Sequence, residues 1–111
     1  MRVSVDKLVS NDIKQISTYI AKDSEYYAKK TADEIHDKIY GLETSIYHGR
    51  MVPELNEKNI QELIYHGNYR IIFQIEEDVA HIIQVLNSRQ GFNKNFRFEK
   101  LKDFTQLNLF S

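Results

Sequence analysis

Residues 61–75 read QELIYHGNYRIIFQI, and residues 79–92 continue as VAHIIQVLNSRQGF. Tyr69, Ile71, Phe73 and Ile75 recur at every second position, the period of a strand with one buried face. The stretch is bounded by two short connections, His66-Gly67-Asn68 and Glu76-Glu77-Asp78. Connections of this length join antiparallel neighbours, because a parallel crossover takes about a dozen residues or more. Three strands are therefore expected as an antiparallel meander: Ile60–Tyr65, Tyr69–Ile75 and Val79–Ser88.

The preceding half of the chain has a different period. Arg2–Lys7 alternates Val3 and Val5 with polar residues, which suits a short strand. Ser10 is the expected N-cap of a helix running to about Ala21, with Ile13, Ile16 and Ile20 on one stripe. Asp23 and Ser24 open a second helix, whose apolar positions Ala28, Ala32, Ile35, Ile39, Leu42 and Ile46 are spaced by threes and fours. Gly49 is its expected C′ residue. The linker 50–58 holds the single proline, Pro53, and shows no apolar period. The expected order is βααβββ: an α+β fold with a helical hairpin packed on a small antiparallel sheet. Ile35, Ile39, Leu42, Ile71 and Phe73 are expected at the helix–sheet interface.

A chain of 111 residues has the length of one domain with one modest core. Its segment 91–111 carries eight Phe and Leu residues, too many for a solvated tail. They are expected either to form a short helix packed on the sheet or to leave a patch for a partner. No run of about 18 apolar residues is present, so no membrane helix is expected. The opening MRVSVDKLVSNDIKQ lacks the apolar core of a signal peptide, and a cytoplasmic protein is the simplest expectation. Cysteine is absent, so neither disulfides nor thiolate metal sites contribute.

Fifteen basic against sixteen acidic residues leave a formal net charge of −1. Nucleic-acid-binding domains are commonly strongly basic, so any such contact here has to come from a local cluster. No His, Asp and Glu set has metal-ligand spacing on one element. The four glycines are not clustered into a phosphate loop. Neither a metal nor a cofactor is expected. Strict alternation puts His81 on one face with Ile83 and Val85, in a satisfied, half-buried role.

One residue of the meander does not belong to its core. If Tyr69, Ile71, Phe73 and Ile75 face the helices, then Arg70, Ile72 and Gln74 share the opposite face, with Glu62 and Ile64. An arginine cannot be buried without a partner except at a cost of several kcal/mol. Arg70 meets either Glu62, as a cross-strand ion pair, or water and a ligand on an open face; the second is the expectation, a solvated and functional arginine rather than a structural one.

Three strings, GRMVPEL at 49–55, QELIYHGNYRIIFQI at 61–75 and AHIIQVLNSR at 80–89, resemble the RelE/ParE toxin superfamily. Asp12-Ile13, Tyr19-Ile20-Ala21 and the alanine-bearing second helix fit the same pattern. The resemblance covers about residues 1–92 and leaves 93–111 as a C-terminal extension. It implies the toxin of a type II toxin–antitoxin module, neutralised by a cognate antitoxin. RelE-like members cleave mRNA on the ribosome, whereas ParE-like members inhibit DNA gyrase without a nuclease reaction.

Cleavage through a ribose 2′-OH takes a base, a cation for the phosphate and an acid for the leaving oxygen. The resemblance gives Arg70 the cationic role, shared with Arg89, and makes Glu54 the candidate catalytic carboxylate, near the position where some members carry one. The departures run against this set. Asn87-Ser88-Arg89-Gln90 stands where nucleases of the superfamily carry lysine–arginine or histidine–tyrosine. Phe92 stands where a C-terminal tyrosine is expected, and Gln61 replaces an arginine. These differences tilt the reading toward a ParE-like or catalytically degenerate, antitoxin-binding member; ParE-like gyrase inhibition is the favoured expectation, with a metal-independent RelE-like endoribonuclease as the alternative.

Overall fold

A computed structural model describes residues 1–44 and 49–97. The meander forms as its short turns require. Strand β3 (Ile60–Tyr65) pairs antiparallel with β4 (Tyr69–Glu76), and β4 pairs antiparallel with β5 (Val79–Asn87). His66 and Gly67 turn the first hairpin at φ of 51° and 68°, and Glu77 turns the second at 55°. Two further strands complete the sheet: β1 (Arg2–Val5) and the two-residue β2 (Arg50–Met51). The order is β1-β5-β4-β3-β2. The β1–β5 pair is parallel, and β2 arises within the stretch that showed no strand period.

Helices α1 (Lys7–Ala21) and α2 (Glu25–Gly41) form the hairpin. The first begins three residues ahead of the expected cap. Asp6, not Ser10, is the N-cap: its Oδ1 accepts from the Leu8 N–H at 2.9 Å, while its own N–H donates to the Ile82 carbonyl at 3.0 Å. One residue thus ends the strand and starts the helix. Ser24 caps α2 as expected, its Oγ accepting from the Tyr27 N–H at 3.2 Å. The second helix ends at Gly41 with Leu42 as its cap, short of Gly49; the expected apolar position Ile46 lies outside the described residues. Gly49 has a different task. Its φ is +77°, and a Cβ there would sit 2.5 Å from the Glu62 carbonyl oxygen, so only glycine lets the chain pass β3 this closely.

The hairpin covers one sheet face. Val9 and Ile13 of α1, Ile35, Ile39 and Leu42 of the second helical segment, and Leu63, Ile71, Phe73, Ile82 and Val85 of the sheet are buried together. The five expected interface residues are all at most 2% exposed. The other face has its own core. Ile72, Ile83 and Leu86 pack with Val52 and Ile60, under Phe92 and Phe96 of a C-terminal turn, α3 (Phe92–Asn95). The start of the Phe/Leu-rich segment therefore packs on the domain itself; Phe98 and the later apolar residues lie outside the described residues.

Strict alternation fails once in β5. Ile72 pairs with Gln84 but Phe73 pairs with Ile82, so Ile83 is an extra residue, a β-bulge. The bulge leaves Ile83 in the second core and returns Val85 to the helix face. The expected grouping of His81, Ile83 and Val85 on one face is thereby broken. His81 is half-buried, 4.0 Å from Glu76.

Candidate functional site

Arg70 does not stand on an open face. Glu62 sits opposite Arg50 in β2 and opposite Ile72 in β4, which makes Arg70 its diagonal neighbour. The Glu62 carboxylate is 0% exposed and holds two guanidinium groups. Its Oε1 accepts from Arg70 Nε at 2.6 Å, and its Oε2 accepts from Arg50 Nε at 2.9 Å. The fork of Arg70 is held as well: its two terminal nitrogens donate to Glu54 Oε2 and Oε1 at 2.8 and 2.6 Å. Of the two ways of meeting Arg70, the ion pair with Glu62 is the one present, extended by Glu54.

Local structure explains how Glu54 gets there. Val52 is fully buried, and its carbonyl accepts from the N–H groups of Leu55 and Asn56 at 3.1 and 3.0 Å. Pro53 and Glu54 are carried over the sheet by this turn, which closes at Asn56 with φ of 53°. Phe92 completes the enclosure, its ring centre 4.8 Å from the Arg70 guanidinium carbon. The Arg70 side chain is 11% exposed and that of Glu54 33%.

The charges reinforce one another. The hydrogen bond to Glu54 raises the Arg70 pKa above its ordinary value, burial opposes this, and the bond to Glu62 adds to the rise. The hydrogen bond from Arg70 holds the Glu54 carboxyl below its ordinary 4.5, against a smaller opposing effect of burial. A guanidinium bonded to two carboxylates is neutralised for any approaching phosphate, and a carboxylate with a lowered pKa is a weak proton acceptor.

Arg89 is elsewhere. It lines a cleft of about 700 Å³ between α1 and the end of β5, with Asp12, Tyr19, Tyr69 and Asn87 among the other walls. Burial raises the Tyr69 pKa, and the Arg89 charge partly offsets this. The structure thus brings Arg70 and Glu54 together and leaves Arg89 apart from both.

Several contributors carried no readable signal. Arg50 joins the cluster only because β2 exists, and two residues are too few to show a period. Arg97 pairs with Asp12 at 2.7 and 2.8 Å across 85 positions of sequence, and Gln84 bonds the backbone of both Asn95 and Arg97. Tyr65 donates its hydroxyl to Glu34, and its ring stacks on His66 at 4.2 Å. Burial, helped by that hydrogen bond, pushes the Tyr65 pKa up to about 12. Among the described residues no group of three His, Cys, Asp or Glu side chains is arranged to hold a metal. No described helix is long and apolar enough to cross a membrane.

Comparison with known proteins agrees with this architecture. No curated protein matches the chain. A solved structure described as a chromosomal ParDE TA system from P. aeruginosa is similar to it at 15% identity, with a TM-score of 0.63, over 78% of this chain and 95% of that one. At that identity the likeness speaks for the fold. The sequence also matches the family model of the ParE toxin of the type II toxin–antitoxin system, parDE, over residues 3–92. With nearly the whole described sheet and hairpin inside that match, the chain belongs to the ParE toxin family.

Proposed function

We propose that the chain arrests growth by binding DNA gyrase, without cleaving nucleic acid, and that a cognate antitoxin neutralises it in the cytoplasm. The observation that carries this choice of target is the engagement of Arg70. Its Nε and both terminal nitrogens are bonded to Glu62 and Glu54, and Phe92 lies against the guanidinium. Phosphoryl chemistry at a 2′-OH needs a cation free to meet developing negative charge, together with a competent base. Glu54 is spent on the cation, and Arg89 lines a different cleft.

The net charge of −1 supports the same reading, since docking on ribosomal RNA relies on many phosphate contacts. The solved ParDE TA system among its structural relatives supports an antitoxin as partner. Two assays on the purified chain decide the target. Gyrase supercoiling is expected to fall in proportion to added protein, while mRNA on programmed ribosomes stays intact. Ribosome-dependent cleavage with supercoiling unaffected would overturn the proposal in favour of a RelE-like endoribonuclease.

A further inference from the structure

The sheet is not filled evenly along β5. β1 lies beside it only from Val79 to Ile82 and then turns into α1, whereas β5 continues to Asn87. In an antiparallel ladder, residues bonded to the neighbour alternate with residues whose N–H and C=O point away from it. Ser88 donates to the Asn68 carbonyl in step with the Arg70–Leu86 pair. Val85 and Asn87 accordingly present their backbone groups to the outer side, beyond the end of β1.

The molecule answers part of this edge with side chains. Asp12 Oδ2 accepts from the Val85 N–H at 3.1 Å. The Arg97 guanidinium donates to the Ile83 carbonyl and also pairs with Asp12. The Asn87 carbonyl accepts from the Gln90 N–H at 3.0 Å. The Val85 carbonyl and the Asn87 N–H are left facing the cleft with no strand beside them among the described residues. This pair selects a direction. One residue of a parallel strand donates to the first group and accepts from the second, whereas an antiparallel residue would need the Val85 N–H that Asp12 occupies.

The cleft is also selective in charge. Arg97 cancels the charge of Asp12, and among the described residues no ion pair engages the Arg89 guanidinium. A single uncancelled arginine suits one carboxylate better than a nucleic-acid backbone, which calls for several cations. Tyr19, 69% exposed, and Tyr69 supply aromatic walls on either element for side chains of an added strand. We propose that this cleft binds an extended peptide segment running parallel to β5, with a carboxylate of that segment held by Arg89.

This surface is separate from the Arg70 cluster, and its occupation does not depend on which target the toxin acts on. The test uses the full chain and a fluorescein-labelled octapeptide of alternating valine and threonine that ends in aspartate. Binding is expected by fluorescence anisotropy, with a shift of the Asn87 amide resonance. Arg89→Ala, checked for unchanged thermal stability, should weaken binding about tenfold, as should the same peptide ending in a lysine amide. Methylating every peptide nitrogen should abolish binding. The proposal is overturned if the peptide fails to bind at millimolar concentration, or if the N-methylated form binds equally well. It is also overturned if octauridylate takes the peptide's place in an Arg89-dependent way, or if sedimentation shows that a second copy of the chain occupies the edge.

Discussion

Replacing Arg70 with alanine tests whether the cation on the second sheet face supports the fold or merely decorates it. An arginine on an open face would cost about 0.5 kcal/mol or less when removed. The geometry calls for more. Glu62 is 0% exposed and loses one of its two guanidinium partners. Removing the only partner of a buried charge costs about 3–5 kcal/mol. Arg50 remains, although its side chain is 59% exposed and it reaches one oxygen only, so roughly half of that penalty is expected. The lost stacking of the guanidinium on Phe92 adds about 0.5–1 kcal/mol. Glu54 is exposed enough to recover its solvation in water and adds little. The sum is about 2–3.5 kcal/mol, or roughly 10–20 °C in Tm for a domain of this size. Urea denaturation of Arg70→Ala beside the wild type measures it. A double change, Arg70→Met with Glu62→Leu, should restore much of the loss, because it removes the buried charge as well as its partner. A loss below about 1 kcal/mol for Arg70→Ala would refute the reasoning and return Arg70 to the status of a solvated residue.

Three further outcomes follow from the same structure. Ile39→Ala or Phe73→Ala should each cost roughly 2–5 kcal/mol on denaturant melts, since both side chains are fully enclosed by the hairpin and sheet. Glu54 has a folded pKa below its ordinary 4.5, so its contribution to stability is present above that pH and is lost as pH falls below it toward the folded value; acid titration of Glu54→Gln should lack this part of the decline. Tyr65, pushed up to about 12 from 10.0, behaves oppositely. Its contribution is complete below pH 10 and disappears as pH rises through about 12, so ultraviolet titration should show a phenol titrating near 12 that Tyr65→Phe removes.

The period-two run in β4 and the threes and fours of α2 were readable because each element buries one face, and burial imposes its own period. Two short turns then dictated the antiparallel order. The parts not readable are those made by contacts without a period. Asp6 outcompeted Ser10 as a cap because its backbone was already anchored to Ile82 by strand pairing, a tertiary fact. The bulge at Ile83 is invisible in a string of apolar residues, since isoleucine suits either face. At the candidate site the pairing of Arg70 with Glu62 was one of two options open from register alone. Glu54 joined them through a turn around Val52 that Pro53 suggests but does not aim. Arg89 shares its residue type with Arg70, and composition could not place it at a different cleft.

The parallel pairing of β1 with β5 has a consequence for how the chain is made. Arg2 finds Val79, and Asp6 finds Ile82, only after most of the polypeptide has left the ribosome. Until then the amino-terminal strand has no neighbour, and the cap of α1 lacks its anchor. The Asp12–Arg97 bond delays closure further, spanning 85 positions. Such distant contacts slow folding, because the entropy of closing a long loop is spent before the contacts repay it. A nascent or truncated product ending ahead of β5 can pair β2, β3 and β4 but leaves β1 without its neighbouring strand. On the function proposed above, growth arrest would begin only with completed chains, and a co-synthesised antitoxin would have that interval in which to act.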